Sequence, residues 1–181
     1  AQREILPIFV GLKFKKEYMK VAIIMGSTSD LDIMSQAINV LEDLGVEVVK
    51  RVISAHRTPE ACAEFVRGAR EAGFGAIIAA AGMAAHLAGA VAANTTLPVI
   101  GIPVKGGILD GLDALLATVQ MPTGMPVATV AVNGAANAAL LAIQMLSLED
   151  KALAEKLDDK RKNDSAAVLE KNKKIEEQFN K

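Results

Sequence analysis

The chain has 181 residues, 51% of them hydrophobic and 23% charged, which is enough for one domain with a full core and excludes a disordered chain. Lys+Arg 20 against Asp+Glu 21 leaves a net charge of -1, so no broad basic field awaits nucleic acid or an acidic membrane; 3% aromatic residues and no Trp exclude a base-stacking surface. One Cys excludes an internal disulfide framework and a Cys-cluster metal site, and two His argue against a His-rich one.

Residues 1–18 precede the regular pattern and read as a leader or appended segment. Their apolar patch at 5–12 lacks the long core and small-residue cleavage site of a signal peptide. The longest apolar stretch, 74–91, is interrupted by Gly75, Gly82, His86 and Gly89, so no spanning helix is expected and a cytoplasmic location is the default.

From residue 19 strands and helices alternate. The apolar run 21–25, ended by Gly26, predicts a strand buried on both faces. Asp30 is placed as the cap of a helix over 31–44, with Ile33, Met34, Ala37, Ile38, Leu41 and Leu44 on one stripe and Gly45 as its stop. The β-branched run 46–53 predicts a second strand. Thr58-Pro59-Glu60 opens a helix to about residue 72, with Thr58 as N-cap. Further strands are expected over 76–80, 98–102 and 127–132, and further helices over 86–93, 111–119 and 135–147. Such alternation implies parallel strands joined by right-handed crossovers, a three-layer α/β/α sandwich of the flavodoxin-like type over 19–147. The charged segment 148–181 is a helical tail, either solvated or lying as an arm on another subunit.

In such sheets the ligand crevice lies beyond the carboxyl ends of the strands, and the polar chemistry falls there. After the first strand come Gly26, Ser27, Ser29 and Asp30: a tight turn, hydroxyl donors, helix amides that favour an anion, and a carboxylate suited to a ribose diol. The same turn reads equally as a plain helix cap, and it lacks both the Gly-Lys-Ser/Thr ending of a P-loop and a Gly-x-Gly-x-x-Gly signature. After the second strand, Arg57 can fork onto a phosphate beside Ser54, and His56, before a helix, suits a base near neutral pH. After the third, Ala81, Gly82 and Ala84 let a planar ligand approach the backbone; His86 either touches that ligand or caps a short helix. Lys105, after the fourth strand, can attract an anion, and Cys62, inside a helix, is packing.

MGSTSD (25–30), SAHRTPE (54–60), AAAGMAAHLAG (79–89), TTLPVIGIPVKGG (95–107), GLDALLATVQMPTGMPVATVAV (111–132) and GAANAALLA (134–142) occur in this order. Together, over about residues 20–160, they closely resemble the class I N5-carboxyaminoimidazole ribonucleotide mutases of purine biosynthesis. The resemblance implies an isomerase that moves a carboxylate from the exocyclic nitrogen of its ribonucleotide to ring carbon C4, with no metal or organic cofactor. It implies phosphate binding at Ser27, Ser54 and Arg57, ribose at Asp30 with Ser29 and Gly26 in the cradle, and the aminoimidazole against Ala81, Gly82, Ala84 and Leu87. His56 matches the family's catalytic histidine and His86 its second one, and the family's homo-octamer is implied as well. Met83 and Ala88 depart from the usual Gly and Pro, and Lys105-Gly106-Gly107 from the Gln/Ser-rich loop of some members. Two rival readings are a class II carboxylase working on aminoimidazole ribonucleotide with CO2 and a non-catalytic phosphate-binding flavodoxin-like module. His56-Arg57 and the 84–87 string favour the mutase over the first, and two strand-end histidines argue against the second.

Overall fold

A computed structural model describes residues 20–180, so the expected leader at 1–18 lies outside the described residues. The elements in chain order are β1 (Lys20–Met25), α1 (Leu31–Asp43), β2 (Glu47–Val52), α2 (Pro59–Gly68), β3 (Phe74–Gly82), α3 (Leu87–Ala92), β4 (Val99–Val104), α4 (Leu112–Val119), β5 (Ala128–Thr129), α5 (Ala135–Ser147) and α6 (Lys151–Phe179). Every strand pair is parallel, and the sheet order is β2-β1-β3-β4-β5. This is the strand order of a flavodoxin-like sheet, the fold type expected from the alternation.

The layers follow from the two-residue period of a strand. Val21, Ile23 and Met25 of β1, Ile78 of β3 and Ile100 and Ile102 of β4 point to one face, where Met34 and Leu41 of α1 and the alanine stripe of α5 cover them. Ala22 and Ile24, then Ile77 and Ala79, point to the other, under Cys62 and Val66 of α2 and Leu87 and Val91 of α3. A residue that packs against helices on either side must be apolar whichever way it faces, which is why β1, β3 and β4 read as unbroken apolar runs. Cys62 is buried in that second layer, as expected.

The chain leaves β1 for β2 on one side and returns to β3 on the other. The carboxyl ends of β1 and β3 therefore flank the switch point at which open α/β sheets bind ligands. Register keeps them level: Met25 lies opposite Val52 and Ala80, and Gly82 opposite Val104.

Four local expectations are corrected. Asp30 makes no side-chain cap bond; a 3₁₀ turn at Thr28–Asp30 precedes α1, and Ser27, in extended backbone, accepts the Ser29 amide instead. Thr58 makes no cap bond either, because its hydroxyl is committed to Ser54. The helix expected to reach residue 72 ends at Gly68, since residues 69–73 turn to bring Phe74 into the sheet. The fifth strand keeps only two residues: it pairs on one side alone, and beyond Val130, whose amide still donates to the Gly101 carbonyl, the chain turns at Asn133.

The segment after residue 148 is a single 29-residue helix, about 44 Å long at 1.5 Å per residue. Asp150 caps it through the amides of Ala152 and Leu153, and Leu153 and Leu157 anchor its first turns in the core. Residues 161–180 are exposed, including Val168, Leu169, Ile175 and Phe179. Among the described residues no helix is long and apolar enough to cross a membrane.

Candidate active site

Arg57 joins the first two strand-end loops. Its Nη2 donates to the Gly26 carbonyl at 3.0 Å, and its backbone amide and Nε both donate to Ser54 Oγ, at 3.2 and 3.3 Å. The Ser54 hydroxyl thus accepts within the loop and keeps its own proton for a ligand. Thr58 closes the loop: its hydroxyl donates to the Ser54 carbonyl at 2.9 Å and accepts from the Ser54 amide at 3.1 Å. His56 stands between Ser54 and Arg57, exposed and without a hydrogen bond to another described residue. The loop backbone is fixed while the imidazole is left open to a ligand.

Facing it, the Ser29 hydroxyl donates to Asp30 Oδ1 at 3.3 Å. Asp30 is only 8% exposed. Burial pushes its carboxyl above the ordinary range, more strongly than the bonds from Ser29 and the Ser27 backbone hold it down. Exposed Ser29, half-buried Gly26 and Ser27 and the 3₁₀ turn then present amides and hydroxyls at the start of α1. Gly26, Ser27, Ser29, Asp30, Ser54, His56 and Arg57 are therefore one neighbourhood, as the strand order requires.

The β3 side is built differently. Ala81 is buried at the strand end, Gly82 is half-buried and Ala84 exposed; Leu87 begins α3 and is buried beneath them. His86 holds the N-cap position of α3 but makes no cap bond. Its Nδ1 is hydrogen-bonded to the Ala117 carbonyl on α4, and its Nε2 fills the space where a side chain at Gly89 would lie. A carbonyl only accepts, so Nδ1 carries the proton. His86 thus pins α3 to α4 behind the crevice, while His56 faces outward.

Lys105 pairs with Asp110 at 3.1 Å, and its amide donates to Asn133 Oδ1 at 2.8 Å. Asn133, at a left-handed φ of 58°, is a residue that sequence reasoning missed: it ties the loop after β4 to the loop before α5. Its signal was the Asn133-Gly134 pair, a turn signature. Among the described residues no cluster of three or more His, Cys, Asp or Glu could hold a metal ion. A groove of about 770 Å³ at the opposite ends of the strands, lined by Arg67, Arg70, Thr95, Thr96 and Pro126, contains none of the residues above.

The family profile described as AIR carboxylase matches residues 20–167. N5-carboxyaminoimidazole ribonucleotide mutase of Bacillus subtilis is 55% identical over 83% of this chain and 94% of its own length. Its counterpart in Pyrococcus horikoshii is 50% identical over 92% and 94%. The phosphoribosylaminoimidazole carboxylase of Saccharomyces cerevisiae is 51% identical over 86% of this chain, which corresponds to 27% of that longer protein. Among solved structures, Treponema denticola PurE superposes with a TM-score of 0.78 at 29% identity, covering 86% of this chain and 98% of that one. A profile spanning most of the chain, relatives at half identity over nearly their whole length, and a solved structure that superposes over most of both chains lead to one conclusion: the chain belongs to the AIR carboxylase family.

Proposed function

We propose that the protein is an N5-carboxyaminoimidazole ribonucleotide mutase, an isomerase of purine biosynthesis. The observation that carries the reading is the Arg57 bond to the Gly26 carbonyl at 3.0 Å. It brings the guanidinium and the Ser54 hydroxyl to the turn that opens α1, with His56 next to Arg57 in the chain.

The ribonucleotide phosphate sits among Ser27, Ser54 and Arg57, and Asp30 takes the ribose hydroxyls. The aminoimidazole lies toward Ala81, Gly82 and Ala84 above Leu87. The carbamate C–N bond breaks to give CO2 and aminoimidazole ribonucleotide, whose nitrogen gains a proton. Ring carbon C4 then attacks the CO2, forming the C–C bond, and loses its own proton. The net change is one carboxylate moved from nitrogen to carbon and one proton moved from carbon to nitrogen. A single imidazole can serve both transfers, and His56 is that group. His86 is the second histidine of the site and supports it from the α3–α4 seam. No metal or organic cofactor enters this scheme.

The catalytic unit spans 19–147, with 148–181 as a helical extension, and the enzyme works in the cytoplasm as a homo-octamer. Two exposed apolar sets support assembly: Ile108, Leu112 and Leu116 around α4, and Val168, Leu169, Ile175 and Phe179 on the outer half of α6. Light scattering should give eight chains per particle; a monomer contradicts it.

Turnover tests the function. The pure protein is given either N5-carboxyaminoimidazole ribonucleotide, or aminoimidazole ribonucleotide with bicarbonate. A kcat/KM that clearly favours the first supports the mutase; preference for the second points to a carboxylase; binding without turnover points to a non-catalytic module.

A further inference from the structure

Met83 combines three properties that rarely meet in one residue. Its backbone is left-handed, with φ 56°, although it is not a glycine. The residue is 62% exposed, so burial does not offset the strain. And it belongs to the β3–α3 loop, against which the ring of the ribonucleotide is placed above. Strain held at an exposed loop residue is a reason to look for a function there.

The side chain lies beside Gly107 of the next loop. A Cβ built on Gly107 would come within 3.3 Å of Met83 Cγ and within 3.2 Å of Asp113 Oδ2. A side chain at Gly107 would press on the methionine, which would have to give by a few tenths of an ångström. Gly107 itself has φ 69°, and Asp110 and Gly111 in the same loop have φ 54° and 98°. The base of that loop is held by Asn133 and by the Lys105–Asp110 pair, while its tip, at Ile108, is 99% exposed. The contact from Met83 therefore falls on the least supported part of a loop that borders the strand-end crevice. A thioether is flexible and polarisable, suited to fill an irregular gap between two loops.

We propose that Met83 is a positioning residue for the carboxyl transfer. It seats the β4–α4 loop at Gly107 over the aminoimidazole end of the site and keeps water from the CO2 released between the two bonds. The proposal rests on the mutase reading above. It assigns the strain at position 83 to retention of the intermediate, not to binding, because the phosphate partners lie on the β1 and β2 loops.

The test compares full-length wild type with Met83→Gly, Met83→Asn and Met83→Leu, measuring aminoimidazole ribonucleotide released per C4-carboxylated product, corrected for spontaneous substrate decay. Glycine and asparagine tolerate the left-handed backbone, so both variants should unfold at the wild-type temperature or above. Their KM should stay within about twofold, while release of decarboxylated product rises about fivefold or more. Leucine, which keeps an apolar Cγ, should recover most of the coupling. Wild-type partition in the Gly and Asn variants overturns the proposal while leaving the mutase intact, and so does unfolding of both at a lower temperature. A wild-type protein that forms no C4-carboxylated product overturns the mutase reading itself.

Discussion

The two halves of the strand-end crevice are made in opposite ways. On the β1 and β2 side the loops are polar and cross-linked: Arg57, Ser54 and Thr58 bind one another and reach Gly26. The non-glycine residues there have negative φ, and the cohesion is electrostatic. On the β3 and β4 side the loops are rich in small and apolar residues, with one Lys105–Asp110 pair, and left-handed backbone occurs at Met83, Gly107, Asp110 and Gly111. The first half resembles an anion cradle, where donors must be fixed before the ligand arrives. The second resembles a wall, where closeness and exclusion of water matter more than donors. An enzyme that must hold a phosphate firmly yet retain a small neutral gas needs both.

Breaking the polar half should give the larger effects. His56→Asn keeps size and hydrogen bonding but removes the proposed proton carrier, so kcat should fall by about 10²–10⁴ with KM little changed. Wild-type kcat in a folded variant would remove His56 from the chemistry. Arg57→Ala should raise KM by about 10–100-fold, the loss of hydrogen bonds to a charged group, with a smaller change in kcat. Arg57→Lys should recover only part of this, because an ammonium cannot fork across Ser54, Gly26 and a phosphate at once.

The apolar half is sharpened by Gly89→Ala. The added methyl would occupy the space of the His86 ring, so the variant should lose about 1–3 kcal/mol in denaturant unfolding. Unchanged stability would mean that His86 does not lock α3 to α4. The smallest expected effect is at Asp30, and its sign is set by burial. The folded carboxyl titrates above its ordinary 3.8, so the native state binds the proton more tightly than the unfolded chain. Above that window the ionised group lowers stability, and acidification through it relieves the loss. Asp30→Asn should therefore match or exceed wild type in stability at pH 7, with the gap closing on acidification through the raised titration. The same variant should bind substrate less well, since an amide replaces the carboxylate proposed to take the ribose hydroxyls. A gap that widens on acidification would refute the burial argument.

Much of this was readable before any coordinates. The apolar runs at 21–25 and 76–80 had to be central strands, and the polar residues at their ends had to converge, because parallel topology brings all carboxyl ends to one edge. What stayed hidden depended on contacts between distant segments. Asp30 and Thr58 carry the right chemistry for caps, but Ser29 and Ser54 compete for their oxygens. His86 left two roles open; it makes no cap bond, and its bond to the Ala117 carbonyl, 31 residues away, had no local signal. Met83 signalled its left-handed backbone only by standing where the resembling family usually has Gly, since methionine itself carries no turn preference. The fifth strand was overestimated because its β-branched residues promise a full ladder that a one-sided edge does not provide.

One measurement reaches the central claim directly. Substrate labelled with ¹³C at the carbamate is incubated with the protein in unlabelled bicarbonate, without ATP. Transfer within one closed site predicts that the label appears at the C4 carboxylate with little dilution. A product whose C4 carboxylate carries the unlabelled bicarbonate pool, or no C4-carboxylated product at all, would contradict it.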